Sequence, residues 1–247
     1  DGKNEYYEFS DFLMELRMLN DSQLVINNSN DQLILKTWKK SIVPKSLGQK
    51  KYLHALNESD LVFGLGPAGT GKSYLAVAKG IEMMKKGEID KIILSRPAVE
   101  AGENLGFLPG DMKEKVDPYL RPIYDALYEM MPYDRVEKKI HNGEIEIAPV
   151  AFMRGRTFQN SCIIIDEAQN TTPVQMKMIL TRIGKGSKMI VNGDLSQTDI
   201  PKGMESGLSK AVKTLFGIDL IKVIELTEKD VIRHPIVTEI IKAYGKN

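Results

Sequence analysis

The sequence predicts an α/β fold with a mostly parallel sheet and flanking helices, and two observations lead there. Short apolar runs recur at residues 61–65, 92–94, 145–148, 163–165, 189–191 and 223–226. Strands buried on both faces read as unbroken runs of this kind. Between them lie long connections with helical character, which suit the crossovers that parallel strands require.

The elements follow in order. Phe9, Phe12, Leu13, Leu16 and Leu19 recur at helical spacing, so residues 5–20 should form an amphipathic helix. Residues 24–26 and 33–35 are apolar, and Asn27-Asn28-Ser29-Asn30-Asp31 between them reads as a turn, which gives a small hairpin. Residues 1–40 are therefore expected to form a helix-and-hairpin appendage, and residues 41–247 one larger domain. A helix should run over about 71–86. Another should open at Asn170-Thr171-Thr172-Pro173, with Asn170 or Thr171 as its cap.

Composition narrows the function classes. Hydrophobic residues at 42% and charged residues at 27% suit a soluble globular protein. With 34 Lys and Arg against 33 Asp and Glu, net charge is +1, so only local patches could attract nucleic acid. The one cysteine, Cys162, excludes an internal disulfide and sits in an apolar run, as a buried core residue would. A reducing, cytoplasmic setting is the expectation. No apolar run approaches the roughly 20 residues that span a membrane, and no signal peptide is visible.

Gly66-Pro67-Ala68-Gly69-Thr70-Gly71-Lys72-Ser73 fits G-x-x-x-x-G-K-[ST] in full. Its glycines permit backbone angles closed to other residues, so successive N–H groups can converge on one anion. The helix that follows adds its positive end. Lys72 is expected to reach the β and γ phosphates of a nucleotide, and Ser73 to ligate magnesium. Tyr74, next in line, is counted with the nucleotide-binding residues. The apolar run before the motif and the helical pattern after it are the context such a loop needs.

Ser161-Cys162-Ile163-Ile164-Ile165 leads into Asp166-Glu167. A fully apolar strand delivers its last side chains to the carboxyl edge of the sheet, where ligands bind in open α/β folds. There Asp166 can hold magnesium, and Glu167 can take a proton from an attacking water. A small-molecule kinase needs no water-activating glutamate, so the pair favours ATP hydrolysis over phosphate transfer.

Three further features join these. Gly193-Asp194-Leu195-Ser196-Gln197 ends another strand and matches the G-D-x-x-Q motif of superfamily 1 helicases, in which the glutamine, here Gln197, senses the γ-phosphate. Gln49 resembles the adenine-reading glutamine of the same superfamily; the alternative is a plain surface residue. Arg233, in Asp230-Val231-Ile232-Arg233-His234-Pro235, is either a transition-state cation or a solvated arginine before a helix.

Together these residues resemble the PhoH-like family. The match includes Ser95-Arg96-Pro97-Ala98-Val99-Glu100-Ala101-Gly102-Glu103, Leu105-Gly106-Phe107-Leu108-Pro109-Gly110 and Phe152-Met153-Arg154-Gly155-Arg156. It covers about residues 44–240. The resemblance implies a single RecA-like P-loop core and a magnesium-dependent ATPase linked to RNA or single-stranded DNA. Some members carry a nuclease-like domain, for which this chain is too short.

Arg96 and the loop after it are expected to line a strand channel. Lys36, Lys39, Lys40, Lys45, Lys50 and Lys51, with Trp38 among them, and the pair Arg154 and Arg156 are either phosphate-binding patches or solvated faces. A lone core lacks the second lobe that completes a helicase cleft, so a homo-oligomer is expected, with a hexameric ring favoured by the resemblance. The rival function is an ATP-driven switch that docks a protein partner through the N-terminal appendage.

Overall fold

The computed structural model describes residues 33–97, 112–197, 205–232 and 236. The expected N-terminal helix, one arm of the expected hairpin, and Arg233 lie outside the described residues.

All six expected strands form. β3 (Leu61–Leu65), β4 (Lys91–Ser95), β5 (Ile145–Ile147), β6 (Ser161–Ile165), β7 (Lys188–Gly193) and β8 (Ile221–Glu225) make one sheet in the order β5-β4-β6-β7-β3-β8. Every pairing in it is parallel. β6 and β7 are buried along their whole length, as unbroken apolar runs require, whereas the edge strand β8 is mostly half-buried.

Helices cover both faces. α1 (Leu47–Glu58), α2 (Lys72–Lys86), α3 (Met112–Met130) and α4 (Tyr133–His141) share one core with the sheet, built around Tyr52, Leu56, Ile81, Ile92, Leu127 and Ile164. α5 (Pro173–Leu180) and α6 (Gly207–Leu215) share the other, around Phe63, Ile93, Ile163, Ile179 and Val191. Cys162 is fully buried in the first core, as expected, and burial pushes its thiol up to about 12.

One hairpin forms that the sequence did not announce, and one local expectation is corrected. A hairpin pairs β1 (Leu35–Lys36) with β2 (Ser41–Ile42), while residues 24–26 of the expected one lie outside the described residues. The turn closes because Thr37 donates both its N–H and its hydroxyl to Lys40 O, at 3.0 and 2.7 Å. Leu35 and Ile42 then enter the first core, and Lys36 N–H donates to the buried Glu82 of α2, so residues 35–42 pack as part of the main body. The cap of α5 is Thr172, not Asn170 or Thr171. Thr172 and Gln175 form a reciprocal capping box with Pro173 at the first helical position. Thr171 instead donates its hydroxyl to Ala168 O within the preceding turn.

Candidate nucleotide site

The register of the sheet assembles the site. Leu65 lies level with Gly193 and Glu225, and Ile165 with Ser95 and Val191. The residues that follow, Gly66, Arg96, Asp166, Asp194 and Leu226, therefore sit along one carboxyl edge. β7 separates the loop-bearing strand β3 from the acidic strand β6.

Gly66, Gly69 and Gly71 adopt positive φ of 141°, 85° and 84°, which explains glycine at those places. At Gly66 a Cβ would also stand 2.1 Å from Leu226 O. Gly71 caps α2 without a side-chain bond, so the first N–H groups of the helix are open to an anion. The loop is braced from behind. Gln49 is buried, donates Nε2 to Thr70 O at 2.9 Å and accepts Lys45 N–H at 2.8 Å. Its burial excludes the plain surface alternative, and the bond ties its amide to the loop backbone. On the other side Leu226 N–H donates to Leu65 O and Ile232 N–H to Gly69 O.

Lys72 bends over its own loop, with Nζ donating to Gly66 O at 2.5 Å and Pro67 O at 2.8 Å. Burial lowers its pKa, against the pull of Asp166, Asp194 and Glu167. Asp166 is buried, and burial raises its pKa against the Ser73 hydrogen bond and the charges of Arg96 and Lys72. Ser73 Oγ donates to Asp166 Oδ1 at 2.6 Å. These two hard oxygen donors fit magnesium, which takes few protein ligands and completes its shell with phosphate and water. Among the described residues no cluster of His, Cys, Asp and Glu could cage a metal without such help.

Glu167 is one of two non-glycine residues with positive φ among those described, at φ 55° and ψ 38°. Strain of this kind gathers at functional sites. Arg96 Nη2 donates to its Oε1 at 3.1 Å, and Gln169 Nε2 to its Oε2 at 2.6 Å. Gln169 is buried, and its own Oε1 accepts Asp194 N–H at 3.0 Å, so it bridges the tips of β6 and β7. Sequence reasoning missed this brace, although Gln169 closes the Asp166-Glu167-Ala168-Gln169 stretch. Among the described residues, three buried side-chain atoms lack a hydrogen-bond partner: Ser95 Oγ, Asn192 Nδ2 and Asp194 Oδ2. All three lie at the carboxyl ends of β4 and β7.

A cleft of about 300 Å³ joins the parts, lined by Gly69, Lys72, Ser73, Tyr74, Arg96, Asp166, Glu167 and Asp194. A second cleft, of about 750 Å³, lies between Gly66–Pro67 and the 226–230 segment. Gln197 is exposed on the turn after Asp194, with its N–H donating to Asp194 O.

The basic patches divide. Arg156 forms a two-pronged pair with Glu146 at 2.5 and 2.7 Å and lies over the Phe158 ring. Arg154 is exposed, with no ion pair among the described residues. Lys39 donates to Tyr128 O and Lys40 pairs with Glu129. Trp38 carries Arg135 and Lys139 over its ring, at 5.1 and 5.7 Å, so that face is occupied and does not await a base.

This strand order and loop placement are those of a RecA-like P-loop core. Among the described residues no helix is long and apolar enough to cross a membrane. A family model described as PhoH-like protein matches residues 41–245. A PhoH-like protein of Bacillus subtilis (strain 168) is 62% identical over 207 residues, 84% of this chain and 65% of its own length. Protein PhoH of Escherichia coli (strain K12) is 41% identical over 206 residues, 83% of this chain and 58% of its own. The chain thus spans well under the full length of these curated relatives. A crystal structure of the Pif1 helicase from Candida albicans resembles it with TM-score 0.44 at 16% identity, over 83% of this chain and 44% of that one.

Proposed function

The chain belongs to the PhoH-like protein family, and we propose that it hydrolyses ATP with magnesium and couples this to RNA or single-stranded DNA. One observation carries the reading: Lys72, the Ser73–Asp166 pair and a strained, doubly held Glu167 converge on a single cleft. In the loaded site Lys72 would exchange its loop carbonyls for phosphate oxygens. Ser73 and Asp166 would hold magnesium, which supplies charge neutralisation on the terminal phosphates. Glu167 would orient the attacking water and take its proton. Gln197 would sense the γ-phosphate, Gln49 and Tyr74 would border the base, and Arg96 and Arg154 would meet the strand. A cytoplasmic ring of copies, with Arg233 reaching a neighbour's nucleotide, completes the proposal.

Steady-state phosphate release, with and without 12-nucleotide RNA and DNA, tests it. Magnesium-dependent turnover that rises with a strand is the expected result. Turnover indifferent to both strands would refute the nucleic-acid half and favour the protein-partner switch. Absence of turnover would refute the whole.

A further inference from the structure

Arg96 and Glu167 are brought together by backbone register. Ser95 lies level with Ile165, and Asp166 N–H donates to Ser95 O at 2.9 Å, so the residues beyond each strand face one another. The Arg96 guanidinium then meets Glu167 Oε1 at 3.1 Å, with side chains 20% and 34% exposed. The second oxygen takes Gln169 Nε2. Both oxygens of the residue read as the base are thus engaged by donors. A carboxylate that accepts from a guanidinium is fixed in direction. The same guanidinium lines the phosphate cleft and presents planar donors suited equally to phosphate.

We propose that Arg96 is a positioning residue that restrains Glu167 until a phosphate oxyanion draws the guanidinium away. This rests on the functional reading above and adds a regulation to it. The oxyanion has two sources, the backbone of a bound strand or the terminal phosphate of the nucleotide. Either way, ligand arrival and release of the base become one event. Reciprocity follows: whatever loosens Arg96 from Glu167 must tighten the binding of the competing phosphate.

Glu167→Gln supplies that loosening without changing shape, since the amide oxygen still accepts but carries no charge. Affinity is read by fluorescence anisotropy of a labelled 12-nucleotide RNA without nucleotide, and by a fluorescent ATP analogue without RNA. A partly exposed ion pair is worth little, so the gain expected is about two- to fivefold in Kd. In an Arg96→Ala background the same change should bring no gain, because no guanidinium is left to release. Arg96→Lys should keep part of it. The arm in which the gain appears identifies the source of the phosphate.

A gain that survives in Arg96→Ala would mean that Glu167 merely repels phosphate, and would overturn the proposal. So would no gain in either arm by a parent protein that binds RNA or nucleotide, with the functional reading left standing. A parent that binds neither ligand would overturn both.

Discussion

Asp230→Ala should destabilise the chain by about 2–4 kcal/mol. The carboxylate is buried and accepts Gly48 N–H at 2.9 Å, Thr227 N–H at 2.8 Å and the Thr227 hydroxyl at 3.2 Å. Gly48 lets α1 come this close; a Cβ there would stand 2.5 Å from the carboxylate. Alanine would strand two backbone donors, at about 1–3 kcal/mol each. It would also remove a charge that favours the N-terminus of α1, worth about 0.3–1 kcal/mol. Water admitted to the gap offsets part of the total. For a chain of this size the loss corresponds to a Tm lower by roughly 5–15 °C. Urea unfolding followed by fluorescence of the one tryptophan, Trp38, measures it. Burial raises the Asp230 pKa, but the donors around it outweigh this and the net shift is downward. Its stabilisation is therefore present above the unfolded carboxyl value of about 3.9 and fades as pH falls below that. The alanine variant should lose this part of the acid dependence. A loss under about 1 kcal/mol, or an unchanged acid limb, would refute the reasoning.

Other outcomes follow from the same geometry. Glu167→Gln should bind nucleotide and lose turnover by about 10²–10⁴-fold, with phosphate release as the check. Arg154→Ala should lower the log–log salt slope of RNA binding by about 0.7. Arg156→Ala should lower Tm instead, since its guanidinium already serves Glu146. Mixing Arg233→Ala with Lys72→Ala should restore ATPase activity that neither shows alone; no rescue despite proven subunit exchange would leave the arginine acting in its own subunit. Cys162, at about 12, should resist alkylation at pH 9 in the folded chain and react once it is unfolded. Its contribution to stability is complete below the unfolded thiol value and is lost as pH rises through the folded one.

The strands were legible because a parallel sheet covered on both faces leaves its signature in consecutive residues. Ile163-Ile164-Ile165 could hardly be anything else. The glycine loop was legible for a similar reason, since its conformations and charges come from neighbours in sequence. The 35–42 hairpin was missed because its turn rests on one threonine and on the burial of Leu35 and Ile42, which no local pattern announces. The Arg96–Glu167 pair and the Gln169 brace join residues from different strands, and no local pattern announces such partners. Gln49 was singled out by its position before the loop, but the bond to Thr70 O depends on where α1 packs.

The strand that completes the loop's surroundings arrives late. β3 and the phosphate loop are made within the first 73 residues of this sequence, yet one flank of β3 stays uncovered until β8 and the 226–232 segment have been synthesised. A nascent chain halted earlier would show the ribosome exit an open parallel edge and a loop without its wall. Nucleotide capture should therefore switch on abruptly once the 226–232 segment has emerged, and chaperones should find a long window on β3 before then. Arrest sequences placed on either side of residue 232 would mark that moment.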